Sequence, residues 1–335
     1  MTDDHIGIVG LGYQLPTRVR LNDDPIFDAL KKNKSQGDIL ALFQGIERRH
    51  VLGPNETLVA IMAAAAEKAM IDAGVAASDV DLLLGCASLS QYIVPSDLGA
   101  LHARLGLPQR CIPLPLANDF SNFTQSLVIA DALLRAGRMR TILVVAGGDW
   151  TRAVDYDQGA SISAGDGAGA AVLCGPSTGV RWTILDQQAL VRSDLYGAMF
   201  VSGDVVHAGG QPQDQEYSGP YFHMTDAGAQ DFRSFGADTA PVPAQMLLNR
   251  QGICGRDVTL IGHQASTVLL GAWAKVIEPA AALSTIENFG NMTVASIAVT
   301  LAALEAEIET PYVLLLALGL DMHAHAVLLR RASGH

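Results

Sequence analysis

The chain has 335 residues, of which 49% are hydrophobic and 17% charged, and its formal net charge is −12. This composition predicts a large buried core and excludes an intrinsically disordered chain. The acidic charge, without basic residues interleaved with aromatic ones, also argues against a nucleic-acid partner.

The sequence predicts neither a targeting segment nor a membrane segment. Residues 1–5 lack the basic start of a secretory signal, and no run reaches the roughly 18 apolar residues that cross a bilayer. The four cysteines, Cys86, Cys111, Cys174 and Cys254, form no CxxC pair and have no histidine at metal-ligand spacing. We therefore expect a cytoplasmic protein with free thiols, no metal and no cofactor.

Strands and helices alternate along most of the chain. Residues 176–240 are different, because they show little periodicity and indicate a strand or two within a long functional loop region. The other predicted elements are strands at 6–12, 79–87, 141–146, 171–173 and 258–262, and helices at 57–73, 96–105, 124–136 and near 240–250.

An internal repeat divides the chain into two related halves. Residues 79–88 resemble 257–266, residues 118–137 resemble 288–305, and the strands between 141 and 173 resemble those between 312 and 329. The repeat predicts a duplicated α/β fold with halves 1–175 and 176–335 in one compact unit. Such a duplication brings the two polar turns before the repeated helices to one central site, near the strand that ends at His263.

Five short segments carry a more specific signal. They are GIERRH at 45–50, GDGAGAAVL at 165–173, YFHM at 221–224, GHQA at 262–265 and GNMTVAS at 290–296. In this order they resemble motifs of the thiolase-fold condensing enzymes, in particular the β-ketoacyl-acyl-carrier-protein synthase III group. The resemblance covers nearly the whole chain. It implies a thiolase-like fold layered α-β-α-β-α, acyl-thioester chemistry in fatty-acid or polyketide-type biosynthesis, and a homodimer.

The same resemblance assigns two catalytic candidates. The family's active site consists of a Cys, a His and an Asn, and His263 and Asn291 match the latter two. In that role they donate hydrogen bonds to the carbonyl of a malonyl thioester as it loses carbon dioxide. Two ordinary roles stay open beside this one, a core histidine bonded to backbone and an asparagine that caps a helix.

The position of the nucleophile is the main departure from the family. Residues 116–123, LANDFSNF, form a polar turn before a buried helix, where free N–H groups stabilise anions. Matching this turn to the family motif places Phe120 where the cysteine is expected, with its ring in the acyl channel. Either Ser121 or Asp119 replaces the thiol, or the site works without a covalent step, or it is inactive. A serine nucleophile needs a base, for which His263 is the candidate; helix capping is the ordinary role of Ser121 and Asp119.

The three alternatives correspond to different functions. They are acyl transfer or decarboxylative condensation, decarboxylation of a malonyl thioester, and a partner subunit without activity. A dinucleotide-binding oxidoreductase is disfavoured, because the GLG at 10–12 lacks the further glycine and the acidic residue of that motif.

The thioester donor is expected to be an acyl carrier protein rather than coenzyme A. The family residues that grip the adenine of coenzyme A are replaced by Ile39 and Phe43, and the C-terminal glycine-rich turn keeps only Gly319. Arg152 is a candidate phosphate contact, although a solvated surface arginine explains it equally well. His323 and His325 lie two residues apart in a predicted strand, hence on one face, and lack further metal ligands, so we interpret the segment as a half-buried strand.

Overall fold

A computed structural model describes residues 6–32, 44–92, 94–117, 119–177, 179–202 and 221–332. The strands are β1 Gly7–Gln14, β2 Arg18–Leu21, β3 Arg48–Val51, β4 Leu82–Ala87, β5 Ile112–Pro115, β6 Thr141–Asp149, β7 Asp166–Cys174, β8 Trp182–Val191, β9 Met199–Ser202, β10 Tyr221–Met224, β11 Val258–Gly262, β12 Ala281–Leu283, β13 Tyr312–Leu318 and β14 His323–Arg331. The helices are α1 Asp28–Lys32, α2 Leu58–Ala73, α3 Leu98–Arg104, α4 Asn122–Arg135, α5 Asp226–Ser234, α6 Val242–Gln251, α7 Thr267–Ile277, α8 Ile286–Phe289 and α9 Ser296–Leu304.

The main sheet consists of two five-stranded halves with the same topology. Its order is β12-β11-β13-β14-β8-β1-β7-β6-β4-β5. A single residue pair, Ile8 with Trp182, joins β1 to β8 at the centre. From this junction outward, each half has two antiparallel pairings followed by two parallel ones. The matching order confirms the duplicated fold expected from the repeat.

Helices cover both faces of the sheet halves and fill the space between them. The central layer is α4 and α9, whose side chains Phe123, Leu127, Ile297 and Leu301 pack in one buried cluster with strands of both halves. Helix α2 covers the outer face of the first half, and α6 and α7 cover that of the second. This arrangement confirms the α-β-α-β-α layers. It also explains why α9 is apolar on all sides, since it has no face in water.

Local sequence signals account for the ends of the predicted elements. Helix α2 begins after Thr57, whose Oγ1 accepts the Ala60 N–H at 3.2 Å, and it ends at Gly74 with φ of 65°. The glycine-rich segment before 171 was expected to precede a strand, but β7 already starts at Asp166. A Cβ on Gly169 would lie 2.5 Å from the Ala298 Cβ, so the glycine allows α9 to approach this strand closely.

The region at 176–240 is more regular than expected. It contains the ten-residue strand β8, the antiparallel pair β9 and β10, and helix α5. Residues 203–220 lie outside the described residues, as do Ile39, Phe43 and Asn118. In the described ranges, no helix combines the length and the apolar character needed to cross a membrane.

Strand β5 forms one edge of the sheet and contains two prolines, Pro113 and Pro115, which have no backbone N–H. The Leu116 N–H bonds to the Gly85 carbonyl of β4 at 2.9 Å, so Pro113 and Pro115 turn their backbone nitrogens away from β4, to the free edge. Proline has no N–H to donate there. Ile112 and Leu114 are 61% and 40% exposed. A partner at this edge therefore contacts side chains and cannot accept hydrogen bonds from these two positions.

Candidate active site

His263 lies directly after β11, at the carboxyl end of a parallel strand. Its N–H donates to the Leu316 carbonyl of β13 at 2.8 Å, and its side chain is buried. Its Nδ1 has no hydrogen-bond partner within the described part of the chain. Burial lowers the pKa of His263 to about 4, so the imidazole is neutral near pH 7.

The residues after His263 hold its turn in place. The buried Gln264 donates through Nε2 to the Gly262 carbonyl at 2.7 Å. Its Oε1 accepts from the Ser284 hydroxyl at 2.7 Å and from the Thr285 N–H at 2.9 Å. Because both ends of this amide are bonded, the GHQA segment is a positioning motif for the buried imidazole ring in the cavity wall.

Asn291 lies on the loop before α9. Its backbone N–H donates to the Ser163 carbonyl at 2.6 Å, and its Oδ1 accepts the Thr293 N–H at 2.9 Å. Because a backbone N–H only donates, this bond fixes the orientation of the amide and leaves Nδ2 as the donor of a side chain that lines the cavity. The capping and catalytic interpretations of Asn291 are therefore compatible, since each uses a different atom.

Phe120 lies in the short turn Asp119–Ser121 and faces both of these elements. Its ring stacks on the His263 ring with centroids 5.3 Å apart and an interplanar angle of 19°. It also meets Trp150 edge-on at 5.6 Å. The ring thus occupies the space in front of the histidine, where the resemblance places the nucleophile.

One cavity of about 160 Å³ joins these side chains. Phe120, His263, Asn291, Trp150 and Gly319 all contribute to its largely apolar wall. Typical small-molecule sites are about 300–1,000 Å³. The cavity therefore admits a small acyl group and not a complete thioester arm. Gly319 contributes its backbone, whose N–H already donates to the His323 carbonyl at 2.9 Å.

Ser121 does not pair with His263, contrary to the expectation for a serine nucleophile. Its Oγ lies 2.5 Å from Nε2 of His323, and Nδ1 of His323 contacts Oδ1 of Asp321. Ser121 and His323 are buried, and the Asp321 side chain is 41% exposed. The contacts of His323 with Ser121 and Asp321 were not predicted from the sequence. The Asp-x-His spacing before the last strand was the available signal.

His325 has a separate environment from His323. Its Nδ1 lies 2.8 Å from Thr124 Oγ1 and its Nε2 lies 3.2 Å from Gln187 Oε1. Both histidines are buried, and β14 is buried on both faces from His323 to Leu329, not half-buried as expected. Within the described residues, no three His, Cys, Asp or Glu side chains are arranged to hold a metal ion.

Arg152 lies away from the cavity wall. Its side chain is 52% exposed, and Nη1 lies 3.5 Å from Oδ2 of the buried Asp149. Burial raises the pKa of Asp149 to about 6, which the Ser88 hydroxyl, bonded at 2.8 Å, partly offsets. This contact fits a surface arginine. The side chain of Asp119 lies outside the described residues.

Two charged motif residues have structural contacts. Arg49 of the GIERRH segment donates from Nε and Nη2 to the Ile162 carbonyl at 2.9 and 2.6 Å, and from Nη1 to Asn22. Burial lowers its pKa to about 10. Asp166 of the glycine-rich segment accepts three hydrogen bonds, from Leu52 and from the N–H and hydroxyl of Thr151. Arg49 thus braces the segment that also supplies the Ser163 partner of Asn291.

Comparisons with known proteins show which enzymes this chain is similar to. Residues 116–189 match the family model described as 3-oxoacyl-[acyl-carrier-protein (ACP)] synthase III. A β-ketoacyl-[acyl-carrier-protein] synthase III of Rickettsia akari is 28% identical, with 89% of this chain and 90% of that protein aligned. The chain is ketosynthase III-like.

Solved structures show that this ketosynthase III-like chain has the thiolase-like fold. The 3-oxoacyl-[acyl-carrier-protein] synthase III of Aquifex aeolicus superimposes with a TM-score of 0.82 at 23% identity, over 97% of this chain and 100% of that one. The priming β-ketosynthase of the R1128 polyketide biosynthetic pathway gives 0.82 at 24% identity, over 97% and 96%.

Proposed function

We propose that this ketosynthase III-like protein acts on acyl thioesters, by acyl transfer or decarboxylative condensation, without a cysteine nucleophile. The observation that carries the proposal is a single cavity with His263, Asn291 and the Phe120 ring in its wall. The names of two relatives, a β-ketoacyl-[acyl-carrier-protein] synthase III and a priming β-ketosynthase of a polyketide pathway, support the same substrate class.

The two polar side chains suit a carbonyl that gains negative charge. When a malonyl thioester loses carbon dioxide, the electrons of the broken C–C bond move to the thioester carbonyl and form an enolate. An N–H of the neutral His263 and the Nδ2 of Asn291 donate to that oxygen. Fixed donors in a site with little water stabilise such a charge more than water does, because they need no reorganisation.

The residues next to the cavity help to distinguish between coenzyme A and an acyl carrier protein as the thioester donor. A second depression of about 670 Å³ shares Ala160, Phe222 and Met224 with the cavity wall and also carries Asp155 and Asp226. Carboxylates repel the phosphates of coenzyme A. This arrangement supports an uncharged pantetheine arm at this point, with the rest of the donor, an acyl carrier protein, outside.

One observation favours a second candidate function, a partner subunit without activity. The Phe120 ring fills the space in front of His263 and leaves a small cavity. In this alternative the exposed side chains of strand β5 contribute to assembly with an active subunit.

Thioester turnover distinguishes the two functions. Purified protein is incubated with malonyl and short acyl thioesters of pantetheine and of an acyl carrier protein, and carbon dioxide and free thiol are measured. Asn291→Asp keeps the Oδ1 bond to Thr293 and removes the Nδ2 donor, and His263→Gln removes the imidazole. Because one such donor contributes about 10²–10³-fold in rate, both variants are expected to lose that factor.

A matched substitution controls for nonspecific damage. Asn288 is three residues from Asn291, and its Oδ1 accepts from Arg48 on the surface. Asn288→Asp is expected to retain the wild-type rate. If wild-type protein releases neither carbon dioxide nor thiol from any of these thioesters, the enzymatic proposal is wrong and the partner-subunit function is favoured.

A further inference from the structure

Ser121 stands at the N-terminus of α4, where a serine usually caps the helix, but its hydroxyl makes no capping bond. It accepts instead from Nε2 of Gln125 at 3.1 Å and lies 2.5 Å from Nε2 of His323. The common structural role of a serine at this position is therefore absent, and its oxygen is turned to an imidazole on another element.

The chemistry of the partners indicates a direction for these hydrogen bonds. The amide nitrogen of Gln125 only donates, so the Ser121 oxygen accepts that bond, and donation from the same hydroxyl to Nε2 of His323 fits their separation of 2.5 Å. The Asp321 carboxylate only accepts, so Nδ1 of His323 carries the hydrogen between them. This order, hydroxyl to imidazole to carboxylate, is the one a serine nucleophile requires.

The turn between β13 and β14 holds the carboxylate and the imidazole together. Met322, between Asp321 and His323, adopts the left-handed region with φ of 55°, which is uncommon for a residue with a side chain. Its carbonyl accepts the Arg192 N–H at 3.0 Å, and its own side chain is buried. Tertiary contacts thus maintain a strained backbone that brings the Asp321 carboxylate to Nδ1 of His323.

Two of the three residues, Ser121 and Asp321, directly follow residues of the cavity wall. Phe120 directly precedes Ser121, and Gly319 and Leu320, which also line the cavity, directly precede Asp321. The Ser121 side chain has no exposed surface in this arrangement. A thioester in the cavity therefore reaches the hydroxyl when the Phe120 ring turns away from His263.

We propose that Ser121, His323 and Asp321 form a nucleophilic triad that takes an acyl group from a thioester and passes it to an oxygen nucleophile, water or an alcohol. This inference rests on the proposed thioester function and assigns its nucleophile and base. His323 is the general base, Asp321 is a positioning residue, and Phe120 controls access.

The reaction balances without a further reactant. Ser121 Oγ attacks the thioester carbonyl, its proton passes to Nε2 of His323, the C–S bond breaks, and the proton then moves to the leaving sulfur to give a free thiol. In the second half, the O–H of water or an alcohol gives its proton to His323 and attacks the serine ester. The bond from carbon to Oγ breaks, and the proton returns to Ser121. Asp321 stays ionised and stabilises the imidazolium.

The first test looks for a covalent adduct on Ser121 of the wild-type protein. Wild-type protein is incubated with an acetyl or butyryl pantetheine thioester, or with a fluorophosphonate that labels nucleophilic serines, and the adduct is located by peptide mass spectrometry. The proposal predicts one adduct, on Ser121. Phe120→Ala is expected to increase the labelling rate at least 10-fold, because it opens the path to the hydroxyl.

Variants then separate catalysis from structure. Ser121→Ala is expected to abolish the adduct, and His323→Gln and Asp321→Asn to slow its formation by about 10²–10⁴-fold. Ser121→Cys is expected to restore acylation as a thioester. Ser126→Ala is the matched control, because Ser126 is buried in the same helix and bonds only weakly to Asn122, at 3.4 Å. Thermal unfolding of each variant shows whether the fold is retained.

The outcomes distinguish this inference from the function on which it rests. Thiol release that depends on His263 and Asn291, without an adduct on Ser121 in wild type or Phe120→Ala, would overturn the triad and leave the thioester function intact. An adduct on Ser121 that forms equally fast in His323→Gln would overturn the assignment of the base. No thiol release and no adduct in either protein would overturn both.

Discussion

The expected position of Phe120 at the nucleophile site can be tested experimentally. In a Ser121→Ala background, Phe120→Cys places a thiol before the N-terminus of α4, beside His263 and within the cavity. The helix end and its free N–H groups favour the thiolate, which is the reactive form. We expect this double variant to accept an acyl group from a thioester as a cysteine thioester, whereas Phe120→Ala in the same background does not.

The contacts of the Phe120 ring also indicate how much the free energy of unfolding falls when Phe120 is replaced. Phe120 loses one stacked contact with His263 and one edge-on contact with Trp150. Each such contact is worth about 0.5–1.5 kcal/mol beyond the buried area. A fully buried Phe→Ala change costs about 3–5 kcal/mol, and Phe120 is only partly buried. We therefore expect both variants to lower the free energy of unfolding by about 2–4 kcal/mol.

Two measurements check this reasoning. Chemical denaturation gives the free energy of unfolding, and intact-protein mass spectrometry after incubation with an acetyl thioester gives the adduct. A loss below about 1 kcal/mol would mean that the ring is not packed on His263 as described. A folded cysteine variant that never carries an acyl group would refute the placement of residue 120 at the nucleophile position.

Acid stability, assembly and the buried arginine give three further predictions. Between about pH 6.5 and 4, His263 binds fewer protons in the native state than in the unfolded state, so acid favours unfolding. Over this range the free energy of unfolding of the wild type should fall by on the order of 3 kcal/mol more than that of His263→Gln. The same pH dependence in denaturation of both proteins would contradict this. If the protein is a dimer through the β5 edge, Ile112→Lys should make it monomeric, as measured by light scattering. The control Ile71→Lys, at an 80% exposed site on α2, should leave the dimer unchanged. A dimer that persists in Ile112→Lys would place the interface elsewhere. Arg49→Lys removes fixed hydrogen bonds of the guanidinium and should lower the free energy of unfolding by about 2–4 kcal/mol. The control Arg48→Lys, at an exposed position, should lower it by about 0.5 kcal/mol or less. Equal losses in the two variants would argue against the bracing role of Arg49.

Several features could be predicted from the sequence because they depend on local or repeated patterns. The capped helix α2 lies within a residue of its prediction, since Thr57 and Gly74 mark its ends directly. The duplication was visible because the strand segments at 79–88 and 257–266 repeat one pattern. Strand β7 was predicted too short, because glycines in a strand resemble a loop until the helix that they accommodate is known.

The nucleophile region shows where local reasoning fails. Ser121 before a helix indicates a cap, and the resemblance made His263 the candidate for its base. The hydroxyl bonds instead to His323, 202 positions away in the sequence. No periodicity or motif reports a pairing between the start of a central helix and the turn before the last strand.

The sequence by itself therefore determined the thiolase-like fold, the family resemblance and the absence of a cysteine from the nucleophile turn. Each of these is encoded in residue type, order and spacing. Only the tertiary structure decided that the Phe120 ring stacks on His263, that Asn291 divides its amide between a turn and the cavity, and that Ser121 meets His323 and Asp321. These contacts join elements that are distant in the chain, and they form because the layers of the fold bring those elements together.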